Sequence, residues 1–439
     1  MWEFLPPKIR LRGAPQLPPA LAGRLSADFE RFRDGLPRPL ETYIRDNYGI
    51  DLASEYGGRA IKNPFGKASG QLSLAAHQIE RDAEAGLGFV VLKTVIAQNR
   101  AGEQAMREWA IPETRMLVER IRGRSGSEGW TVTWKGRGWF DTFTAYLNLF
   151  DQALRLGAGA GMIIAPSVKY HLPTPQEDVW KEEEYDFTTA ALMDVWQRHH
   201  GGEAMPLEKD FSPTLAGSGR AAQQAKILEW LERVPGLIHG AAPGRVAVGL
   251  KLFNALFEDD FQVRMLDLTE SAPAGAGRAD FLIYANRLFD PQKQFEDKVG
   301  VAYGGPDLSD RNLAALENYL SLAAGAPPRE GGERRGSPLP LSASGDIYSG
   351  RIAAEYLLRG AASFQMHTLF QLPDGEFAMR TGNKTEKALH RLLFDPGEGF
   401  LAWLLDLRQR FGWDPEGDVE AVARWCRAHW PEIASSLRP

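Results

Sequence analysis

The sequence predicts an α/β fold, a (β/α)8 TIM barrel with an N-terminal extension and a long insertion after strand 4. Short β-branched or apolar runs alternate with amphipathic helical stretches, the pattern of βα units around a parallel sheet. Eight such runs can be counted. No recurring Gly-x-Gly-x-x-Gly accompanies them, which favours a barrel over a doubly wound sheet.

The strand candidates, in order, are "PFGKASG" (64–70), "FVVLKT" (89–94), "WTVTWK" (130–135) and "GMIIAPS" (161–167). They continue with "VAVGLKL" (246–252), "FLIYANR" (281–287), "LPLSASG" (339–345) and "SFQMHTL" (363–369). Most connections contain a helix, such as "FDTFTAYLNLFDQALRLGA". Residues 1–50 form an extension rich in Pro and Arg, and the barrel is expected over 51–411. Residues 172–222 read as an insertion, a lid, because insertions on that edge lie over the active-site face of a barrel. Residues 325–338 read as a polar loop, and 412–439 as a tail with one amphipathic helix.

Composition removes several classes. With 44% hydrophobic residues, 25% charged residues and a net charge of −6, the chain has no basic surplus for neutralising nucleic-acid phosphates. Cys426 is the only cysteine, so no disulfide framework, cysteine zinc site or in-chain iron–sulfur cluster can form. An electron carrier would have to be organic or sit on another subunit. His199 and His200 lack a third ligand at useful spacing, and no metal site is expected. No apolar run reaches the roughly 20 residues of a membrane span. The N-terminus lacks signal-peptide character, so a cytoplasmic protein without membrane association is expected.

The chemistry-bearing residues gather at strand ends. In "LPLSASGDIYSGRIAAEYLLRGAASFQMHTLF" (339–370), two small-residue corners, Ser344-Gly345 and His367-Thr368, each close a strand. Such corners bring backbone N–H groups and helix N-termini close to a phosphate, and Gly304 and Gly305 suit the same role. Lys93 and Lys251 each end an apolar strand, where a buried ammonium is costly without a partner.

Laid out in this order, the sequence resembles the dihydroorotate dehydrogenase family of FMN-dependent barrels, with the dihydropyrimidine dehydrogenase branch also close. "NPFGKASG" looks like the family's first strand, "GLGFVVLKTV" its second, "VGLKL" its fifth and "YANR" its sixth. "YGGPDLSD", "SASGDIYSG" and "GAASFQMHT" are similar to its glycine and phosphate loops. The resemblance implies FMN held by Ala68, Ser69, Lys93, Lys251, Gly304, Gly305, Ser344, Gly345, His367 and Thr368. It also implies a small-molecule substrate contacted by Asn286, with Arg287 as a further grip if it faces the pocket. Hydride would pass between flavin N5 and a C–C bond of a small cyclic amide or related carbonyl compound. The electron partner is left open, and a homodimer is compatible with the family.

The sequence departs from the family in three places. A glycine of the family's phosphate loop is replaced by Ala343 and a later one by Asp346, an acid that has to point away from a phosphate. Thr133 and Lys135 stand where the family has an asparagine. The family's fourth strand ends in a Cys or Ser general base before a Pro-Asn pair. Aligning Pro166 with that proline puts Ala165, which accepts no proton, at the base. Ser167, Lys169, Tyr170 and His171 are then the local substitutes. Lys93, Ser167 and His171 are taken as the catalytic candidates. Two alternatives remain: a flavin-binding protein or subunit without this activity, and a phosphate-binding barrel isomerase or aldolase using Lys93 or Lys251 as a Schiff base.

Overall fold

The computed structural model describes residues 9–437 apart from 111–115, 135–137, 212–219, 255–257, 274, 276, 296–297, 326–337 and 415. Eight barrel strands run in chain order: β1 Phe65–Lys67, β2 Phe89–Val91 continued by Val95–Ile96, β3 Ile163–Ala165 continued by Ser167–Lys169, and β4 Met205–Asp210. Then come β5 Val246–Phe253, β6 Phe281–Asn286, β7 Leu341–Ser344 and β8 Ala361–Met366. Every neighbouring pair is parallel, β8 pairs with β1, and β3 pairs with β2 through one segment and β4 through the other. The strand order therefore returns to its start, as a βα barrel requires.

Two expected strands are corrected. "WTVTWK" does form a strand, Glu128–Trp134, but it pairs antiparallel with Met116–Arg122 in a hairpin outside the barrel. Alternation dictates a strand; it does not say which sheet receives it. "GMIIAPS" is consequently the third stave. The fourth is "MPLEKD", inside the segment expected as a lid. Residues 172–222 instead contain a barrel helix, Glu182–His200, followed by β4. A proline and three consecutive charged residues hide this strand from pattern reading, yet all six of its residues are buried.

A short hairpin, Ser54–Tyr56 with Arg59–Ile61, precedes β1. Tyr56 stacks on Phe89 with ring centroids 4.2 Å apart. Together with Phe281, Val91, Ala165, Ala247 and Ile283 these rings form one buried cluster. The fit demands small neighbours: a Cβ at Gly249 would lie 2.2 Å from the Phe281 ring.

The extension packs onto the barrel, with Phe32 edge-on to Phe394 at 5.0 Å. Arg10 ties it down further, 2.7 Å from Glu317 and bonded to the carbonyls of Ala434 and Leu437. The tail holds two helices rather than one, Val419–Ala428 and Trp430–Ser436. Pro431 falls in the first turn of the second, where its missing N–H costs nothing and its fixed φ starts a new helix. Among the described residues, no helix is long and apolar enough to cross a membrane.

Candidate functional site

One cleft opens at the C-terminal ends of the barrel strands. Twelve expected residues line it: Ala68, Ser69, Lys93, Lys251, Asn286 and Arg287, with Gly304, Gly305, Ser344, Gly345, His367 and Thr368. They come from the ends of six different strands or the loops that follow, which is how this architecture assembles a site. The cleft encloses about 1550 Å³ of non-protein space, its open mouth included.

The floor is a buried polar network. The Lys251 ammonium lies 3.3 Å from Glu208 Oε2 and 3.2 Å from Gln365 Oε1. Glu208, fully buried, accepts from the Tyr56 hydroxyl at 2.5 Å and from the Gln365 amide. Strand alternation sends Glu208 and Asp210 inward and Lys209 outward. Lys209 there donates to the carbonyls of Tyr170 and Asp210, and burial lowers its pKa to about 7.

Asp210 organises one wall. Its carboxylate accepts from the Asn286 amide at 3.0 Å and lies 3.2 Å from Lys169 Nζ, which sits 4.5 Å from the centre of the Trp109 ring. Lys93 is buried in the same region, and its pKa falls to about 7. Burial is the main cause; Lys169 and Arg287 push the same way, and Asp210 opposes them. Beside it runs a hydroxyl chain, Ser69 to Thr94 at 3.1 Å and Thr94 to Ser167 at 3.0 Å.

At the opposite end, Gly345 adopts φ +117°. A Cβ there would lie 2.5 Å from the Asn312 amide, so the corner requires glycine. Asn312 donates to the Ser344 carbonyl at 2.8 Å and Tyr356 to the Gly345 carbonyl at 3.0 Å, fixing the loop. The helix Pro306–Gly325 begins directly after Gly305, placing the positive end of its dipole beside this part of the cleft. The Gly304 N–H is already given to Thr131, so Gly304 contributes close approach rather than a free donor. Asp346 does not leave the cleft as expected but lines it.

Arg287 spans the mouth. Its guanidinium donates to the Val132 carbonyl of the first hairpin and, at 3.4 Å, to Ala302 of a second hairpin, Leu288–Phe295 with Lys298–Tyr303. Burial lowers its pKa to about 9. His367 accepts from the Gln371 amide at 3.0 Å if Nδ1 is the acceptor. Burial, then Arg287, Lys93, Lys67 and Lys251, keep its pKa well below the ordinary value, so the ring is neutral.

Ser167 and His171 are not in the cleft. Ser167 is fully buried behind Thr94. His171 is 3.6 Å from Glu177, and its carbonyl accepts from Tyr185. Ala165 belongs to the aromatic cluster inside the barrel, so it does not occupy the position of a general base. With β4 reassigned, the sequence that follows the fourth strand is Phe211-Ser212-Pro213-Thr214. Ser212 thus precedes a proline there, as the resemblance implies for the base, although residues 212–219, like Lys135, lie outside those described.

Sequence reading missed Asp210, Trp109, Trp130, Thr94 and Gln365, all lining the cleft, and Glu208 beneath it; Lys169, named there as a local substitute for the base, lines the cleft too. The available signal was "LEKD", with the acids Glu208 and Asp210 at alternating positions and Phe211 alone between them and the Ser212-Pro213 pair. Trp109 is brought in by a single 3-10 turn, Arg107–Trp109, and Trp130 by the hairpin, neither of which local periodicity places.

The site and barrel define a class: α/β barrels with a polar cleft at the strand C-termini, floored by lysines. No family model matches the sequence, and no curated protein matches it. Among solved structures, dihydroorotate dehydrogenase (DHODH) of Eimeria tenella, crystallised with ferulenol, superposes with a TM-score of 0.52 over 93% of this chain and 95% of that one. At 13% identity this likeness establishes the shared barrel fold.

Proposed function

We propose that the chain is an FMN-dependent oxidoreductase of the dihydroorotate dehydrogenase type, acting on a C–C bond of a small cyclic amide or related carbonyl compound. One observation carries the reading: Lys93, Lys251 and the small-residue ends of β7 and β8 share a single cleft. The residues fit the cofactor. Ala68, Ser69, Lys93 and Lys251 suit its ring, while Gly305, Ser344, Gly345 and Thr368 beside a helix N-terminus suit its phosphate. Bound FMN supplies the hydride chemistry.

The chain supplies the rest. Lys251, held by Glu208, and Lys93 place positive charge on the cleft wall, where it stabilises negative charge in the bound ring or substrate. Asp210 and Asn286 offer an acceptor and a donor to amide groups of a substrate, and Trp109 provides a flat apolar wall. Arg287 closes the mouth and excludes water. Ser212, by its place before Pro213, is the proposed proton acceptor. Anaerobic mixing of the FMN-loaded protein with dihydroorotate or a dihydropyrimidine is expected to bleach the flavin absorbance. Lack of bleaching by every cyclic amide tried counts against the substrate class.

The lowered pKa of Lys93 favours a second reading, since a neutral lysine at pH 7 also suits a Schiff base. Covalent trapping at Lys93 by borohydride and a carbonyl substrate, with a colourless protein, would select it.

A further inference from the structure

We infer that Asp346 binds the cofactor phosphate as a neutral carboxylic acid, so that FMN retention weakens as pH rises. This rests on the FMN reading above. Asp346 directly follows Gly345, lines the cleft, and holds φ at +49°, a conformation that Asp and Asn tolerate better than other side chains. Its Oδ2 is shielded from water yet has no hydrogen-bond partner among the described residues. An ionised carboxylate there would repel a phosphate; a protonated one supplies the O–H donor that a phosphate oxygen accepts.

The surroundings favour the neutral form. From the helix Pro306–Gly325, Asp310 and Asp307 face Asp346 and oppose its ionisation, while the Ser309 hydroxyl acts against them. Asp307 already accepts the Arg124 N–H at 2.7 Å and the Tyr303 hydroxyl at 3.3 Å. Tyr356 of the helix Gly350–Leu358 and Tyr348 of the loop complete the surroundings, with Arg351 and Glu398 beyond Tyr348. Arg351 is itself paired with Glu398 at 3.1 Å. Burial first, then Asp310 and Asp307, raise the Asp346 pKa well above the carboxylate range. Asp310 is pushed up to about 6 by burial and Asp307. For an acid that binds in its neutral form, affinity is full below its pKa and falls about tenfold per pH unit above it.

The test is FMN binding to the full chain, followed by quenching of flavin fluorescence from about pH 5.5 to about pH 9. The wild type should lose affinity toward high pH, while Asp346→Asn, neutral at every pH and suited to the same φ, should hold it. Riboflavin, which lacks the phosphate, should show no such decline in the wild type. Superimposable pH profiles for wild type and D346N overturn the inference. Absence of FMN binding to both proteins at every pH instead overturns the cofactor reading itself.

Discussion

Glu208→Ala is expected to lower folding stability by about 3–5 kcal/mol, because it strands a buried ammonium without its counter-charge. Lys251 is 3% exposed and Glu208 fully buried, so bulk solvent screens the stranded charge little. The same change leaves the Tyr56 hydroxyl, bonded to Glu208 at 2.5 Å, short of an acceptor; such an orphaned group costs roughly 1–3 kcal/mol more. A denaturant midpoint measures the loss. Replacing both members of the pair, Glu208→Leu with Lys251→Met, should recover much of it, since apolar pairs of similar volume commonly match buried ion pairs. A Glu208→Ala loss below about 1 kcal/mol, the scale of a surface pair, would contradict the network described for the barrel floor.

Lys93→Met is expected to slow reduction of the bound flavin by about 10²- to 10³-fold, the usual cost of removing one preorganised donor from a site of developing charge. Retention of FMN should persist, since the lower floor and the β7 and β8 loops are untouched. The sign of the pH dependence follows from the lowered pKa. A lysine near 7 carries its charge below that pH and loses it above, so the wild-type rate falls as pH rises through the lysine's pKa. A bound anion raises that pKa, placing the fall above pH 7. Lys93→Arg keeps its charge at every accessible pH and should flatten the profile. Stopped-flow absorbance reads both effects, and a Lys93→Met rate equal to wild type would remove this residue from the mechanism.

Most of the barrel was legible because its staves obey ordinary rules. "FVVLKT" and "VAVGLKL" are apolar runs ending in a lysine, and the lysine marks the passage from core to cleft. β4 was illegible for the opposite reason. Glu208, Lys209 and Asp210 look like loop residues until their partners are known: Lys251 and Tyr56 from other strands, Tyr170 from the adjoining one, and Asn286 from a fourth. No local pattern encodes those contacts. That one error carried the others, placing Ala165 at the base and drawing Ser167 and His171 into a site they do not reach. The lysines, Asn286 and the Gly345 corner stand out in the sequence because each violates the pattern around it, and the structure brings them into one cleft. Asp346 was recognised as discordant, but its orientation depended on Asp307, Asp310 and Ser309, which lie about forty residues away in the chain.

The measurement that bears most directly on the account is the absorbance spectrum of the freshly purified chain, with heat release and identification of any coloured cofactor. The account predicts a yellow protein that releases FMN, or a colourless one that turns yellow and quenches flavin fluorescence on adding FMN. A protein that is colourless and leaves the fluorescence of added FMN unchanged across the pH range would contradict it.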